Sequence, residues 1–263
     1  MSAWGTRRQL SFVLFFILLL ALAVVLLIIA NRHVPTCRDN QQNQTELGPD
    51  CGGPCVKVCP AEVGELVVLW TRLFKIRDGV YDVAAYVENP NPFGILDLPY
   101  HIRVYDADNI PIKDVDGNTY LNPHERTLIL IPQINVGFRE PTRAFISFPE
   151  GFPWIRISEP REPTFTITNQ RIEEGPILSL RATLTNDSLF AITDIELAAL
   201  LFDSTGNVTH VSRTFVEGLK TGDSETVVFT WPGGGLPVFS ADILPRVNLV
   251  KENAIQGDTM PPQ

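Results

Sequence analysis

The chain of 263 residues lacks the short motifs that mark most enzyme sites. It has no Gly-x-Ser-x-Gly elbow, no Walker loop and no dinucleotide fingerprint. Its four histidines, His33, His101, His124 and His210, are scattered, with no pair at metal-ligand spacing. Each reads as a surface or strand-end histidine. Gly222-Asp223-Ser224 comes nearest to a hydrolase serine, but it stands between two strand-like runs and reads as a turn. With no convergent acid, base and nucleophile, the sequence points away from an enzyme and implies no cofactor. Basic charge is also short, with 21 Lys and Arg against 30 Asp and Glu and a net charge of −9. All 30 acidic residues follow Ala30, as do only 19 of the 21 basic ones. Such a body has no reason to bind nucleic acid or an anionic lipid surface by charge. Long helical periodicity is absent after the first 30 residues, and no cysteine follows Cys59.

Charge is missing altogether from Leu10 to Ala30, 21 residues with Ser11 as the single weakly polar one. A helix of that length rises about 31 Å, the thickness of a bilayer's hydrocarbon core. A cleaved secretory signal has a shorter apolar core, usually about 7–15 residues, and Ile28 stands where a small residue should precede cleavage after Ala30. Val34-Pro35-Thr36 likewise lacks the small residue expected before a lipidated Cys37. The run therefore reads as an uncleaved single-pass anchor over 10–30 behind a short cytoplasmic tail, residues 1–9. Arg7 and Arg8 before the run nearly balance Arg32 and Arg38 after it. The acidity and the cysteines of the remainder favour placing the C-terminal part outside the cell membrane.

Residues 31–62 read as a stem. Asn40 to Thr45 is polar and cannot bury enough surface to fold alone. Cys37, Cys51, Cys55 and Cys59 lie in this segment, the last three as Cys-x3-Cys-x3-Cys. Outside the cytoplasm, four cysteines in a small loop-rich segment imply two disulfides, with three pairings open. A four-thiolate zinc site is the alternative, although the usual pair of Cys-x2-Cys units is absent.

Beyond the stem the texture becomes β-branched and aromatic, with turn residues at regular intervals. Strands are expected at Leu66–Ile76, Val80–Glu88, Leu98–Tyr105, Ile110–Val115, Arg126–Ile131 and Thr142–Phe148, part of a set of about seven. Asp116-Gly117 reads as a hairpin turn. A proline-rich linker over 151–162 leads to a second series at Thr164–Thr168, Leu178–Thr185, Ile192–Phe202, Val208–Phe215, Glu225–Trp231 and Phe239–Leu249. The fold class is therefore all-β: two tandem immunoglobulin-like antiparallel sandwiches, 63–150 and 163–250, after one N-terminal transmembrane helix. Gly233-Gly234-Gly235 reads as a flexible loop and 251–263 as a disordered tail.

The two series align without a gap at an offset of 97 residues from Tyr81 to Asp106. Tyr81, Val83, Ala85 and Val87 match Leu178, Leu180, Ala182 and Leu184. Asn89, Phe93, Ile95 and Asp97 match Asn186, Phe190, Ile192 and Asp194. Period-2 apolar matches plus matched turn residues define two copies of one strand–loop–strand unit. The asparagines are expected to satisfy loop backbone groups, the phenylalanines to plug the sandwich end, and the isoleucines to start the next strand. Asp106 and Asp203 are expected to open equivalent turns.

Val87-Glu88-Asn89-Pro90-Asn91-Pro92-Phe93-Gly94-Ile95 resembles the strand-end motif of the water-stress and hypersensitive-response (WHy) sandwich of group-2 late-embryogenesis-abundant proteins. Leu200-Leu201-Phe202-Asp203-Ser204-Thr205-Gly206-Asn207-Val208 resembles the motif of bacterial FxLYD domains, with Phe202 in the tyrosine position. The resemblance implies immunoglobulin-like sandwiches without catalytic residues, often on a membrane anchor, and the layout is similar to that of bacterial envelope proteins. It names no ligand.

One stretch could hold a metal. Asp114, Asp116, Asn118 and Glu125 fall at positions one, three, five and twelve of a calcium-loop count, where alternate residues can converge oxygens on one cation. The sixth residue is Thr119 rather than glycine, and the same residues also read as an ordinary hairpin. Asn43, Asn186 and Asn207 each begin an Asn-x-Ser/Thr sequon. The expected function is a membrane-anchored, extracytoplasmic, non-enzymatic scaffold or binding module that contacts other envelope proteins. A WHy-like protein protecting against stress or desiccation is the alternative. Specificity should lie where the copies differ: Asp114 to Glu125, the stem, and the loop around Gly233.

Overall fold

The computed structural model describes residues 3–30, 35–157, 161–232 and 237–251; within the first segment, side chains are described for 12–27 and 29. His33, the loop at Gly233-Gly234-Gly235 and the tail 252–263 lie outside the described residues. The described residues form α1 (Ala3–Ala30) and then twelve strands. These are β1 (Val67–Arg77), β2 (Val80–Glu88), β3 (Ile95–Asp106), β4 (Pro111–Leu121), β5 (Arg126–Asn135) and β6 (Pro141–Ser147), then β7 (Phe165–Glu173), β8 (Ile177–Asn186), β9 (Ile192–Phe202), β10 (Val208–Leu219), β11 (Ser224–Pro232) and β12 (Ser240–Arg246).

The strands form four three-stranded antiparallel sheets. In the first half β1-β2-β5 faces β4-β3-β6, and in the second β7-β8-β11 faces β10-β9-β12. Adding six to each strand number converts one pair of sheets into the other, so the repeat read from 26 aligned positions extends to the whole topology. Period-2 alternation sets the cores. Tyr81, Val83, Ala85 and Val87 of β2 meet Ile102 and Val104 of β3 in the first core. Leu178, Leu180, Ala182 and Leu184 of β8 meet Leu197, Ala199 and Leu201 of β9 in the second.

Among the described residues the first sandwich has six strands rather than about seven, and the second has the six expected. Asp116-Gly117 is not a turn either: β4 runs through it, pairing His101 with Asp116 and Tyr100 with Gly117. The Tyr100 ring lies over this glycine, where a Cβ would fall 2.4 Å from Cζ. Glycine is present for close packing, not for a bend.

The sandwiches also pack on each other. Ala84, Leu128 and Leu130, on the outer face of β1-β2-β5, form one buried cluster with Ala198, Leu200 and Val211 of β10-β9-β12. Trp70, stacked on Tyr86 at 5.7 Å, borders the cluster. The result is four sheet layers with three apolar seams. β2, β5 and β9 are buried on both faces, which their consecutive apolar residues permit. Burying each leucine in the middle seam contributes about 1.5–3 kcal/mol.

The cysteine-bearing segment is docked on the first sandwich. Val58 packs with Phe93, Ile95, Leu98, Leu121 and Trp154, the last from the proline-rich segment after β6. Backbone bonds fix the contact: Val58 N donates to Trp154 O at 3.2 Å, and Arg156 N donates to Val56 O at 2.7 Å. Two disulfides, Cys37–Cys55 and Cys51–Cys59, select one of the three open pairings. No free cysteine remains among the described residues, which removes the four-thiolate zinc alternative.

Among the described residues, no helix is long and apolar enough to cross a membrane. α1 as a whole has 28 residues, but its described side chains, 12–27, cover a rise of only about 24 Å. The spanning helix expected over 10–30 is therefore not found there, since Leu10, Ser11, Ile28 and Ala30 lie outside the described side chains. The large apolar residues that are described, such as Phe12, Phe16 and Leu20, are exposed.

Candidate interaction surface

The repeat motif is architectural in both copies. The fully buried Asn89 donates through Nδ2 to Phe93 O and to Asn122 O, both at 2.7 Å, and accepts from Asn91 N at 3.0 Å. Asn186 does the same with Phe190 O at 2.9 Å, Leu219 O at 3.0 Å and Ser188 N at 2.9 Å. Every partner is offset by 97 residues. A short amide suits this place because it supplies two donors and an acceptor to a loop with no ladder partner. Asn186, fully buried with both amide hydrogens engaged, is no glycan acceptor in the folded chain. Phe93 closes the end of the first sandwich, Phe190 packs at the edge of the second core, and Ile95 and Ile192 are buried. Asp97 and Asp194 part company: Asp97 accepts from Asn118 Nδ2 at 2.7 Å, whereas Asp194 adopts φ 55° and lies 3.9 Å from Lys251 Nζ.

The aspartate turns are equally matched. Asp106 Oδ1 accepts from Asp108 N and Ile110 N, and Asp203 Oδ1 accepts from Thr205 N and Asn207 N. The Ile110 N–H holds the Asp106 carboxyl below its ordinary pKa, with help from the Arg139 guanidinium. At Asp203 the Thr205 hydroxyl and the Asn207 N–H act likewise.

The candidate calcium ligands are not brought together. Asp114 accepts from Arg103 Nε at 2.7 Å and Nη2 at 3.2 Å, and Asp116 Oδ1 lies 2.7 Å from His101 Nδ1. Hydrogen bonding to Arg103 holds the Asp114 carboxyl below its ordinary pKa. Glu125 turns the other way, to Arg246 Nε at 2.7 Å. Spacing along the chain mimicked a calcium loop because β4 sends alternate side chains to one face, while Glu125 lies past the strand end. Among the described residues the only carboxylate-containing set with metal-ligand proximity is Cys37, Glu46 and Cys55, whose sulfurs are bonded to each other.

Asp114, Asp116 and Asn118 instead belong to the outer face of β4-β3-β6, with His101, Arg103 and Tyr105 of β3 and Phe145 of β6. Tyr105 meets Phe145 edge-on at 5.8 Å, and Phe145 is 58% exposed. In the second copy the matching β9 positions are Ala198, Leu200 and Phe202, which cover the middle seam. One sheet face is thus apolar and covered in one copy, and charged, aromatic and, among the described residues, uncovered in the other. The remaining described histidines stand apart. His124 lies in the β4–β5 loop at φ 52°, and His210 rests against Trp231, where burial lowers its pKa. Gly222, at φ 78°, forms the expected turn before Ser224.

Sequence reasoning missed the middle seam altogether, its polar edge included. Arg246, 7% exposed at its side chain, also sits 3.8 Å from Glu196 Oε2, over the Tyr120 ring, and donates to Tyr120 O. Glu196 in turn pairs with Arg213 at 3.2 Å. Asn122 bonds Val247 O at 2.9 Å and Leu249 N at 3.0 Å. No short-range signal links such distant positions; an available cue to the seam is the apolar run Leu197 to Phe202, which lacks the alternation of a strand with one wet face. No protein-family model matches the chain, and no curated protein is found to be similar to it.

Proposed function

We propose that the chain is a membrane-anchored, extracytoplasmic, non-enzymatic binding module, with the outer face of β4-β3-β6 as its partner surface. In this reading the two sandwiches are tandem immunoglobulin-like modules, α1 is the single-pass anchor with its N-terminus cytoplasmic, and the partner is another envelope protein. The observation that carries the proposal is the difference between the copies on this face. Where β9 buries Ala198 and Leu200, β3 presents His101 and Arg103, with Tyr105 against Phe145 beside them. Aromatic and arginine side chains are enriched at the centres of protein interfaces. The Arg103 charge is already paired within the sheet, by Asp114, so docking would not strand it.

The test is photocrosslinking in native membranes from a reactive residue placed at Phe145, with a second placed at Thr183 on the outer face of β7-β8-β11. A discrete partner captured from position 145, and lost in Arg103→Glu/Tyr105→Ala, supports the reading. Equal capture from both positions would count against it. Alkaline carbonate extraction decides the anchor separately: release of the full chain into the supernatant would remove it.

A further inference from the structure

Glu46, in the cysteine-bearing segment, is only 5% exposed, and its Oε1 lies 3.0 Å from Sγ of Cys55 in the Cys37–Cys55 bridge. Its Oε2 accepts a hydrogen bond from Asn43 N at 3.2 Å. Among the described residues no cation stands within ion-pair distance of this carboxylate. Burying a carboxylate without a charged partner is unfavourable unless donors satisfy it. A disulfide sulfur carries no proton, so the oxidised bridge offers Glu46 Oε1 no donor. The reduced Cys55 thiol does: its S–H would point at an acceptor already in place. The pocket is better satisfied by the dithiol than by the disulfide.

Access is confined to one end of the bridge. Cys55, Cys51 and Cys59 are buried, whereas Cys37 is half-buried and lines an open cleft of about 800 Å³. Thr36, Pro54 and Lys57 line the same cleft beside the Trp154 ring. Asp50, the cleft's carboxylate, accepts the backbone N–H groups of Asp39 and Asn40. We propose that Cys37–Cys55 is a thiol–disulfide exchange site for a low-molecular-weight thiol, with Cys51–Cys59 as the structural bridge.

The chemistry balances as follows. An external thiolate forms an S–S bond to Cys37 Sγ while the Cys37–Cys55 bond breaks, and Cys55 leaves with the electron pair. Cys55 takes a proton from water, and the new S–H donates to Glu46 Oε1. A second external thiolate attacks the outer sulfur of the mixed disulfide, releasing an external disulfide and the Cys37 thiolate. In the reverse direction Glu46 accepts the Cys55 proton as Cys55 attacks the mixed disulfide at Cys37. The carboxylate is then a general base at a reacting atom.

The test uses the full chain in detergent, equilibrated with graded mixtures of reduced and oxidised glutathione, then alkylated and mapped by mass spectrometry. Cys37 and Cys55 are expected to open together while Cys51–Cys59 stays closed. Cys55→Ser should trap one glutathione on Cys37. In Glu46→Gln, closure of the Cys37 mixed disulfide should slow about a hundredfold or more, the lower end of what a positioned base supplies. Near-UV circular dichroism reports whether that variant is folded. If it is not, the order of opening in the unaltered chain decides alone. Simultaneous opening of both bridges, opening only in denaturant, or glutathione on a cysteine other than Cys37 would overturn the proposal, as would an unchanged closure rate in folded Glu46→Gln.

Discussion

Arg246 Nε donates to Glu125 Oε1 at 2.7 Å, joining the two sandwiches through residues 121 positions apart. The guanidinium carries more than this bond. It lies between Glu125 and Glu196 and over the face of Tyr120, a ring of groups from both halves. Burial alone would lower the Arg246 pKa, but the adjacent carboxylates and Tyr120 outweigh it and the shift is upward. A long apolar seam fixes the distance between sheets, and this polar cluster at its edge fixes the register.

Arg246→Ala should therefore be strongly destabilising. It leaves Glu125 largely buried without its cation and Glu196 with Arg213 alone, and removing one partner of a buried pair typically costs about 3–5 kcal/mol. Urea denaturation of residues 35–251 would measure it. Adding Glu125→Gln should recover part of the loss, and strict additivity of the two changes would show that the pair is not coupled.

Leu200→Asp places a charge in the middle seam while leaving both sandwich cores intact. The expected result is two thermal transitions in place of one, as the halves unfold separately. Calorimetry is the check, and a single cooperative transition with the midpoint unchanged would contradict the account of the seam. Leu200→Ala should cost about 2–4 kcal/mol and keep one transition.

Much of this architecture was legible because it is local. Asn89 and Asn186, the alternation in β2 and β8, and the turns at Asp106 and Asp203 are all set within a few residues. The seam was only half legible. Leu128 to Ile131 and Leu197 to Phe202 lack the alternation of a sheet with one wet face, which is what cover on both sides demands. What covers them is a matter of long-range packing and cannot be read from spacing. Glu125 shows the same limit from the other side: its distance from Asp114 along the chain suggested a metal loop, but its partner lies in β12. The pairing of the four cysteines was likewise open until the segment was seen folded back on Trp154.

Asn89→Ala and Asn186→Ala remove the same three buried hydrogen bonds from equivalent loops. Each should destabilise its own sandwich by about 3 kcal/mol, since the stranded carbonyls and amide lose their partners without gaining water. Hydrogen exchange at the flanking strands would localise the effect. Asn89→Asp should be worse than Asn89→Ala, because it sets a carboxylate against the carbonyls of Phe93 and Asn122.

Asp82 gives the pH dependence a definite sign. It projects from β2 toward the second sandwich and accepts from Gln133 N at 2.7 Å, and burial raises its pKa. A carboxyl whose folded pKa is raised binds its proton more tightly in the folded state. Its favourable contribution is full below the unfolded value and is lost as pH rises through the folded value. Near neutral pH the ionised side chain therefore weakens the fold. Asp82→Asn keeps an acceptor for Gln133 N and removes the charge. It should stabilise the protein at neutral pH by on the order of 1 kcal/mol or less, given partial solvent access. The gain should fade as pH falls below the ordinary aspartate range, where both side chains are neutral. Thermal melts of the two proteins across that range test the sign directly, and a gain that grows on acidification would refute it.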